Sequence, residues 1–296
     1  MTMRRGSFVL MRARLAGLTA LVAVACTGSA VGPVAGDAQG FYVKETIASG
    51  ISVRSSGRVP DRALVAARDM IASMLSHRPD LAQWLAANDY RVAIMAEDEA
   101  ITDLPENRGW TKPGPDDPRL TRCERKHYDA RIGALSDRQY WNARVRGIGG
   151  KRAVAAEEDV LGLRSSRYWG ETILVHEFAH GVHDAIRAVD PALAADIDAA
   201  YAAALADRLW YQEYATTTVE EYWAEGTQFW FNSNRLAVMD GTRVLDHEDL
   251  RAYDPRLYRV LARAYGSGHR LEGDPFYLSE ARVPPGPIPE NTAEVC

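Results

Sequence analysis

The chain has 296 residues, 35 Lys and Arg against 40 Asp and Glu, and a hydrophobic fraction of 47%. That is ordinary globular composition, which excludes a disordered polymer, a collagen-like fibre and a small disulfide scaffold. The length leaves room for one large domain or two lobes around a sizeable core, and a formal charge of −5 provides no basic footprint for nucleic acid.

Arg4, Arg5, Arg12 and Arg14 precede an apolar run over residues 15–26 (LAGLTALVAVAC), and small residues Thr27, Gly28, Ser29 and Ala30 follow. This order is that of a secretory signal over residues 1–30. The run is too short to act as a transmembrane span. The expected location is therefore secreted, periplasmic or cell-envelope. Ala23-Val24-Ala25-Cys26 resembles a bacterial lipobox, so a lipid anchor at Cys26 stands beside a plain cut after Ala30 or Ala38. Removing residues 1–25 takes away four positive charges and leaves 31 basic against 40 acidic residues, a balance of −9. With Cys26 cleaved or lipidated, Cys123 and Cys296 remain as an even pair in an oxidising compartment. A Cys123–Cys296 disulfide is expected to pin the Pro-rich tail at residues 283–289 (VPPGPIP).

After the signal, residues 41–55 alternate and read as one or two short strands. Pro60-Asp61 opens a helix that keeps Leu64, Val65, Ala67, Ile71 and Leu75 at helical spacing to about Ser76. Pro79-Asp80 opens a second helix, and residues 91–95 (RVAIM) read as a buried strand. Residues 103–122, rich in Pro, Asp and Gly, are loop. The GIGG stretch at 147–150 is backbone-permissive, and residues 153–156 read as a short strand at a sheet edge. Helices are expected over 171–187, 191–209, 217–231 and 255–265. The organisation is α+β: an N-terminal mixed α/β lobe over residues 40–187 and a mainly helical C-terminal lobe over 188–296.

Within the helix at 171–187 stands His176-Glu177-Phe178-Ala179-His180. Histidines at i and i+4 lie about 40° apart around a helix and one turn apart along it, so both imidazoles reach one ion from the same side. Zn²⁺ suits two neutral imidazoles and a carboxylate with a fourth position left for water. Glu177, beside the first histidine, is placed to take that water's proton and pass it to a leaving amine. Ile173, Leu174, Val175, Phe178, Ala179 and Val182 surround the pair with apolar surface, where polar groups need partners. His183, on the same face, reads as a capped or exposed helix residue rather than a ligand. Ile186 stands where a histidine ten residues after the first would be needed for a metzincin site.

The third ligand is sought in residues 214–225 (YATTTVEEYWAE). Thr217 with Glu220 reads as a capping box that starts a helix there, which puts Glu221 and Glu225 at i and i+4 on one face. One carboxylate, with Glu221 favoured, binds the metal directly; the other hydrogen-bonds the far nitrogen of a liganding histidine and fixes its tautomer.

HEFAH followed by Tyr-x6-Glu-x3-Glu resembles the gluzincin metallopeptidases of the anthrax lethal-factor-like group, over residues 171–182 and 214–231. The resemblance implies a zincin-like fold with the zinc site between the two lobes, Tyr214 as donor to the oxyanion, Glu221 as ligand and Glu225 behind it. A phenol beside Zn²⁺ adds a second electrophile where charge develops. The chain is too short to carry the large delivery domains of lethal factor itself. Residues 121–133 and 250–257 are similar to secreted relatives of that kind, with Arg122, Arg125 and Asp129 expected as structural ion pairs. The reading is a secreted zinc metalloendopeptidase acting on a peptide or protein substrate, laid along an edge strand near residues 153–156. Two rivals remain at this stage: a catalytically inactive binding protein that kept the zinc site, and a zinc hydrolase of a non-peptide amide.

Overall fold

The structure is a computed structural model that describes residues 31–32 and 40–288. The signal over residues 1–30, the lipobox Cys26 and the Cys296 half of the expected disulfide lie outside the described residues; Cys123 is buried. All the described residues fall in one unit that begins at Val31. No helix among them is long and apolar enough to cross a membrane.

β1 (Lys44–Ala48) and β2 (Ile51–Ser55) form a hairpin whose turn residues Ser49 and Gly50 have φ of 50° and 87°. α1 (Asp61–Leu75) buries Leu64, Ala67, Ile71 and Leu75 of the expected stripe, with Met70 and Met74 beside them, while Val65 is half-buried. α2 (Pro79–Ala87) starts on Pro79, whose fixed φ and missing N–H suit the first helical position. β3 (Arg91–Met95) follows, and then a long connection whose helical content before residue 120 is two single 3₁₀ turns. α3 (Arg122–Lys126) and α4 (Asp137–Arg144) each begin with a capping box, Thr121 with Glu124 and Ser136 with Gln139. β4 (Gly147–Ile148), β5 (Arg152–Ala156) and the single turn α5 (Glu157–Val160) lead to the long α6 (Ile173–Val189). The remainder is α7 (Pro191–Ala206), α8 (Val219–Trp230), the hairpin β6 (Ala237–Met239) and β7 (Thr242–Val244), α9 (His247–Tyr253) and α10 (Pro255–Tyr265).

The fold is mixed α/β with a five-stranded sheet in the order β1-β2-β3-β5-β4. β2, β3 and β5 run parallel, and β1 and β4 are antiparallel to their neighbours. The strand expected at a sheet edge near residues 153–156 is therefore interior, hydrogen-bonded on both sides. The edge is β4, paired through Gly147 to Ala155 and Ile148 to Val154. Strand order depends on crossovers between distant segments, and nothing local to residues 153–156 encodes it.

α6 lies between the sheet and α8, packing on β5 and α2 with one side and on α8 with the other. Leu174, Val175, Phe178, Ala179 and Val182 are buried there with Val53, Leu64, Val92 and Ile94 of the first half. Burial of a side chain of Leu or Phe size stabilises by about 1.5–3 kcal/mol, so the helix that carries the HEFAH stretch is also a core helix. α8 is held in register by buried polar anchors. Trp223 Nε1 donates to Ala179 O at 3.1 Å. The fully buried Asp254 accepts from Tyr222 Oη at 2.6 Å and Trp210 Nε1 at 3.1 Å and caps α10 through Leu257 N. That is the role of the 250–257 segment. In 121–133, the capping residue Glu124 also pairs with Arg144, so this segment ties α3 to α4.

Candidate metal site

His176 and His180 lie one turn apart on α6 with ring centroids 5.1 Å apart. α8 crosses above them and brings Glu221 Oε2 to 2.9 Å from His176 Nε2 and 3.7 Å from His180 Nε2. One ligand atom from each of the three lies within 4.8 Å of the others, the one such group of three among the described residues. Ligand bonds of about 2.0–2.1 Å at tetrahedral angles put donor atoms roughly 3.3 Å apart, and the two observed separations bracket that value. Two imidazoles and a carboxylate so disposed could hold a metal ion.

The start of α8 differs from expectation. Thr218, not Thr217, is the N-cap, and its Oγ1 accepts from Glu221 N at 3.2 Å. Thr217 belongs to the preceding 3₁₀ turn, Tyr214–Thr216, as its closing residue, and its hydroxyl donates to Tyr214 O at 2.7 Å. With two threonines in succession, the extended backbone that a cap needs falls on the second, because the first is still closing the turn. The shift leaves Glu221 and Glu225 on one face.

The electrostatics favour a cation. Burial alone would lower the His176 pKa, but the Glu221 hydrogen bond and the charges of Glu225, Glu177 and Glu221 outweigh it and hold it at about 9. Burial raises Glu177 to about 7, with Glu221 adding to the effect and His176 opposing it. Burial likewise raises Glu171 to about 7 even though Arg235 Nη2 sits 2.6 Å from its Oε1. Glu225 is raised by burial as well. Four carboxylates share a low-dielectric site with two arginines and two histidines, and a bound cation would relieve their mutual repulsion.

These groups line one cleft of about 660 Å³, together with Arg144, Ile148, Tyr168, Tyr214 and Gln228. β4 forms its wall and lies almost on the helix. A Cβ on Gly147 would come within 2.7 Å of Glu177 Oε1, and one on Gly149 would overlap the His180 ring. Only glycine permits that approach. Just before β4, the buried Arg146 reaches Glu158 through Nε at 2.8 Å and Ala96 O through Nη2 at 3.2 Å, which anchors the strand. Tyr214 stands half exposed at the mouth, donating to Glu221 Oε1 at 3.1 Å.

Glu225 lies beside the trio with Oε1 3.6 Å from His176 Nδ1, and its Oε2 is held by Asn234 Nδ2 at 2.9 Å. The nearer acceptor for Nδ1 is Gln228 Oε1 at 3.2 Å. Sequence reading passed over Gln228, although it continues the i, i+4, i+7 stripe of Glu221 and Glu225. Glu171 and Arg235, which line the cleft, and Asn234, which holds Glu225, were also passed over, and they arrive there only through tertiary folding. His183 is neither exposed nor part of the trio; it is buried against Trp223.

No protein-family model matches the chain, and no curated protein matches it. Among solved structures, the PRO-PRO endopeptidase (PPEP-2) from Paenibacillus alvei is similar to it at a TM-score of 0.46 and 14% identity, over 71% of this chain and 95% of that one. A likeness so distant establishes neither fold nor function for this chain, and the functional reading rests on its own side chains.

Proposed function

We propose that the chain is a secreted zinc metalloendopeptidase with a zincin-like arrangement, the sheet on one side of the cleft and α8 on the other. The observation that carries the reading is the His176–His180–Glu221 trio with Glu177 on the wall of the same cleft. The charged, apolar and small-residue order at the N-terminus supports secretion. Two imidazoles and one carboxylate favour zinc over harder ions and leave a coordination position open.

Zinc bound by His176, His180 and Glu221 would supply Lewis-acid polarisation of a water and of the scissile carbonyl. Glu177 takes the water's proton and delivers it to the leaving amine. Tyr214 turns its hydroxyl from Glu221 to the carbonyl oxygen as negative charge develops there. The peptide lies antiparallel or parallel along the free edge of β4, adding a strand to the sheet. Gly147 and Gly149 keep that edge close to Glu177 and His180.

The test is metal analysis and peptide-library cleavage with the mature wild type and with Glu177→Gln. The variant is expected to retain zinc and to lose about 10²–10⁴-fold in kcat/KM, the usual contribution of a general base. A Glu177→Gln protein that cleaves at the wild-type rate, or a wild type that binds no metal, overturns the reading.

A further inference from the structure

Resting on the metal-site reading above, we infer that Gln228 is the positioning residue that sets the tautomer of His176 and aims its Nε2 lone pair at the metal. The case is built from what each neighbouring atom is able to do. Gln228 is fully buried, so its amide has no water to fall back on. Its Nε2 lies 3.3 Å from Thr172 O, the carbonyl at the N-cap of α6. A carbonyl oxygen only accepts, so the amide nitrogen faces it and the amide oxygen faces His176 Nδ1, at 3.2 Å. The other group near Nδ1, Glu225 Oε1 at 3.6 Å, is also an acceptor. Nδ1 therefore carries the hydrogen and keeps it, and Nε2, which faces Glu221 Oε2 at 2.9 Å on the His180 side, is the nitrogen that would exchange its proton for a metal.

The main chain that carries this amide is itself clamped. Ser233 N donates to Gln228 O at 2.9 Å, and Thr172 N donates to Ser233 O at 2.9 Å. This closes a loop between the C-terminal end of α8 and the start of α6, so both ends of the Gln228–His176 contact are fixed to one frame. A neutral amide also suits this place. Glu171, Glu177, Glu221 and Glu225 already crowd the cleft, and a fifth carboxylate against His176 would add repulsion where an amide gives the same acceptor without charge. Glu225, the carboxylate that sequence spacing nominated for the task, spends its other oxygen on Asn234.

A core glutamine that merely ties α8 to α6 predicts something different, and two variants separate the cases. Gln228→Met keeps the volume and removes both contacts. Gln228→Glu keeps an acceptor for Nδ1–H but loses the donor to Thr172 O. Zinc affinity is measured by competition with a chromophoric chelator, on wild type and both variants, with circular dichroism to confirm folding. Gln228→Met is expected to bind zinc 10–100-fold more weakly, the usual effect of removing a group behind a liganding histidine. Gln228→Glu, whose added charge repels the other carboxylates but is offset by the bound cation, is expected to bind within about threefold of wild type. Long-range ¹H–¹⁵N spectra of the zinc-loaded wild type are expected to show His176 protonated at Nδ1. Equal losses in the two variants, an unchanged affinity in Gln228→Met, or a His176 protonated at Nε2 overturns the assignment. The spectra decide the matter even where Gln228→Met fails to fold. A wild type with no zinc affinity brings down the metal-site reading itself, a result distinct from wild-type binding that is indifferent to Gln228.

Discussion

His176 and His183 stand seven residues apart on one face of one helix, and both are buried, yet they live in opposite electrostatic surroundings. Both nitrogens of His176 face oxygen atoms, those of Glu221 and Gln228, and its pKa is held at about 9. His183 stacks on the Trp223 indole with ring centroids 5.7 Å apart, its Nε2 is buried without a hydrogen-bond partner, and its pKa is driven down to about 4, by burial first and by Arg187 next. Residue type and helix position are the same in the two cases. What differs is the stripe that α8 turns toward each: Glu221, Glu225 and Gln228 toward the first, Trp223 toward the second. On this helix the chemistry of a histidine is decided by the helix packed across it.

The comparison breaks most sharply in metal binding. Closed zinc sites in small peptides are worth roughly 10–16 kcal/mol over four positions, so one ligand accounts for about 2.5–4 kcal/mol, roughly 60- to 700-fold in affinity. His176→Ala is expected to lose that much, whereas His183→Phe, which retains the stacked ring, stays within about twofold of wild type. Competition with a chelating dye measures both. A His183→Phe protein that lost its metal would erase the distinction between the two histidines.

Acid stability tests the other half. His183 has a folded pKa of about 4 against 6.5 for the free side chain. The unfolded chain therefore takes up this proton first as pH falls. The stability due to neutral His183 is fully present above pH 6.5 and drains away between pH 6.5 and about 4. A difference of that size corresponds to about 3 kcal/mol. Urea unfolding of the metal-free protein at pH 7 and pH 4.5 should show the wild type losing up to that amount more than His183→Phe. Parallel losses in the two proteins would mean that His183 is not held neutral by its surroundings.

What the sequence made legible follows from how local each signal is. Pro79, Pro191 and Pro255 mark helix starts to the residue because a proline's ring presets the first helical φ. The HEFAH face needed only the helical repeat. The β6–β7 hairpin carried a turn signal in Asp240-Gly241, both at positive φ, but its strands of three residues are too short to show alternation. Thr121–Glu124 was a capping box hidden in what read as loop and ion-pair sequence, and Ser136–Gln139 was one in a stretch that was given no element. Gln228 was within reach, one helical step past Glu225. The position of β4 over His180, and the arrival of Glu171 and Arg235 in the cleft, depend on contacts across tens of residues, which no local pattern encodes.

The finest test of the comparison concerns how α8 is set in place to deliver Glu221. Thr218 Oγ1 accepts from Glu221 N, satisfying one of the orphan donors at the helix start and orienting the residue proposed as ligand. Thr217 Oγ1 serves only the turn before it, through Tyr214 O, on an exposed side chain. Thr218→Ala is expected to cost about 1 kcal/mol of stability, and Thr217→Ala, an exposed change outside the helix, under about 0.5 kcal/mol. Denaturant melts of the two variants measure the difference directly. Equal losses would put the cap back on Thr217 and move the first turn of α8 by a residue. Since Glu221 is the third residue of that turn, such a shift would rotate it about 100° away from His176, and the contact between the two helices on which the metal site depends would be lost.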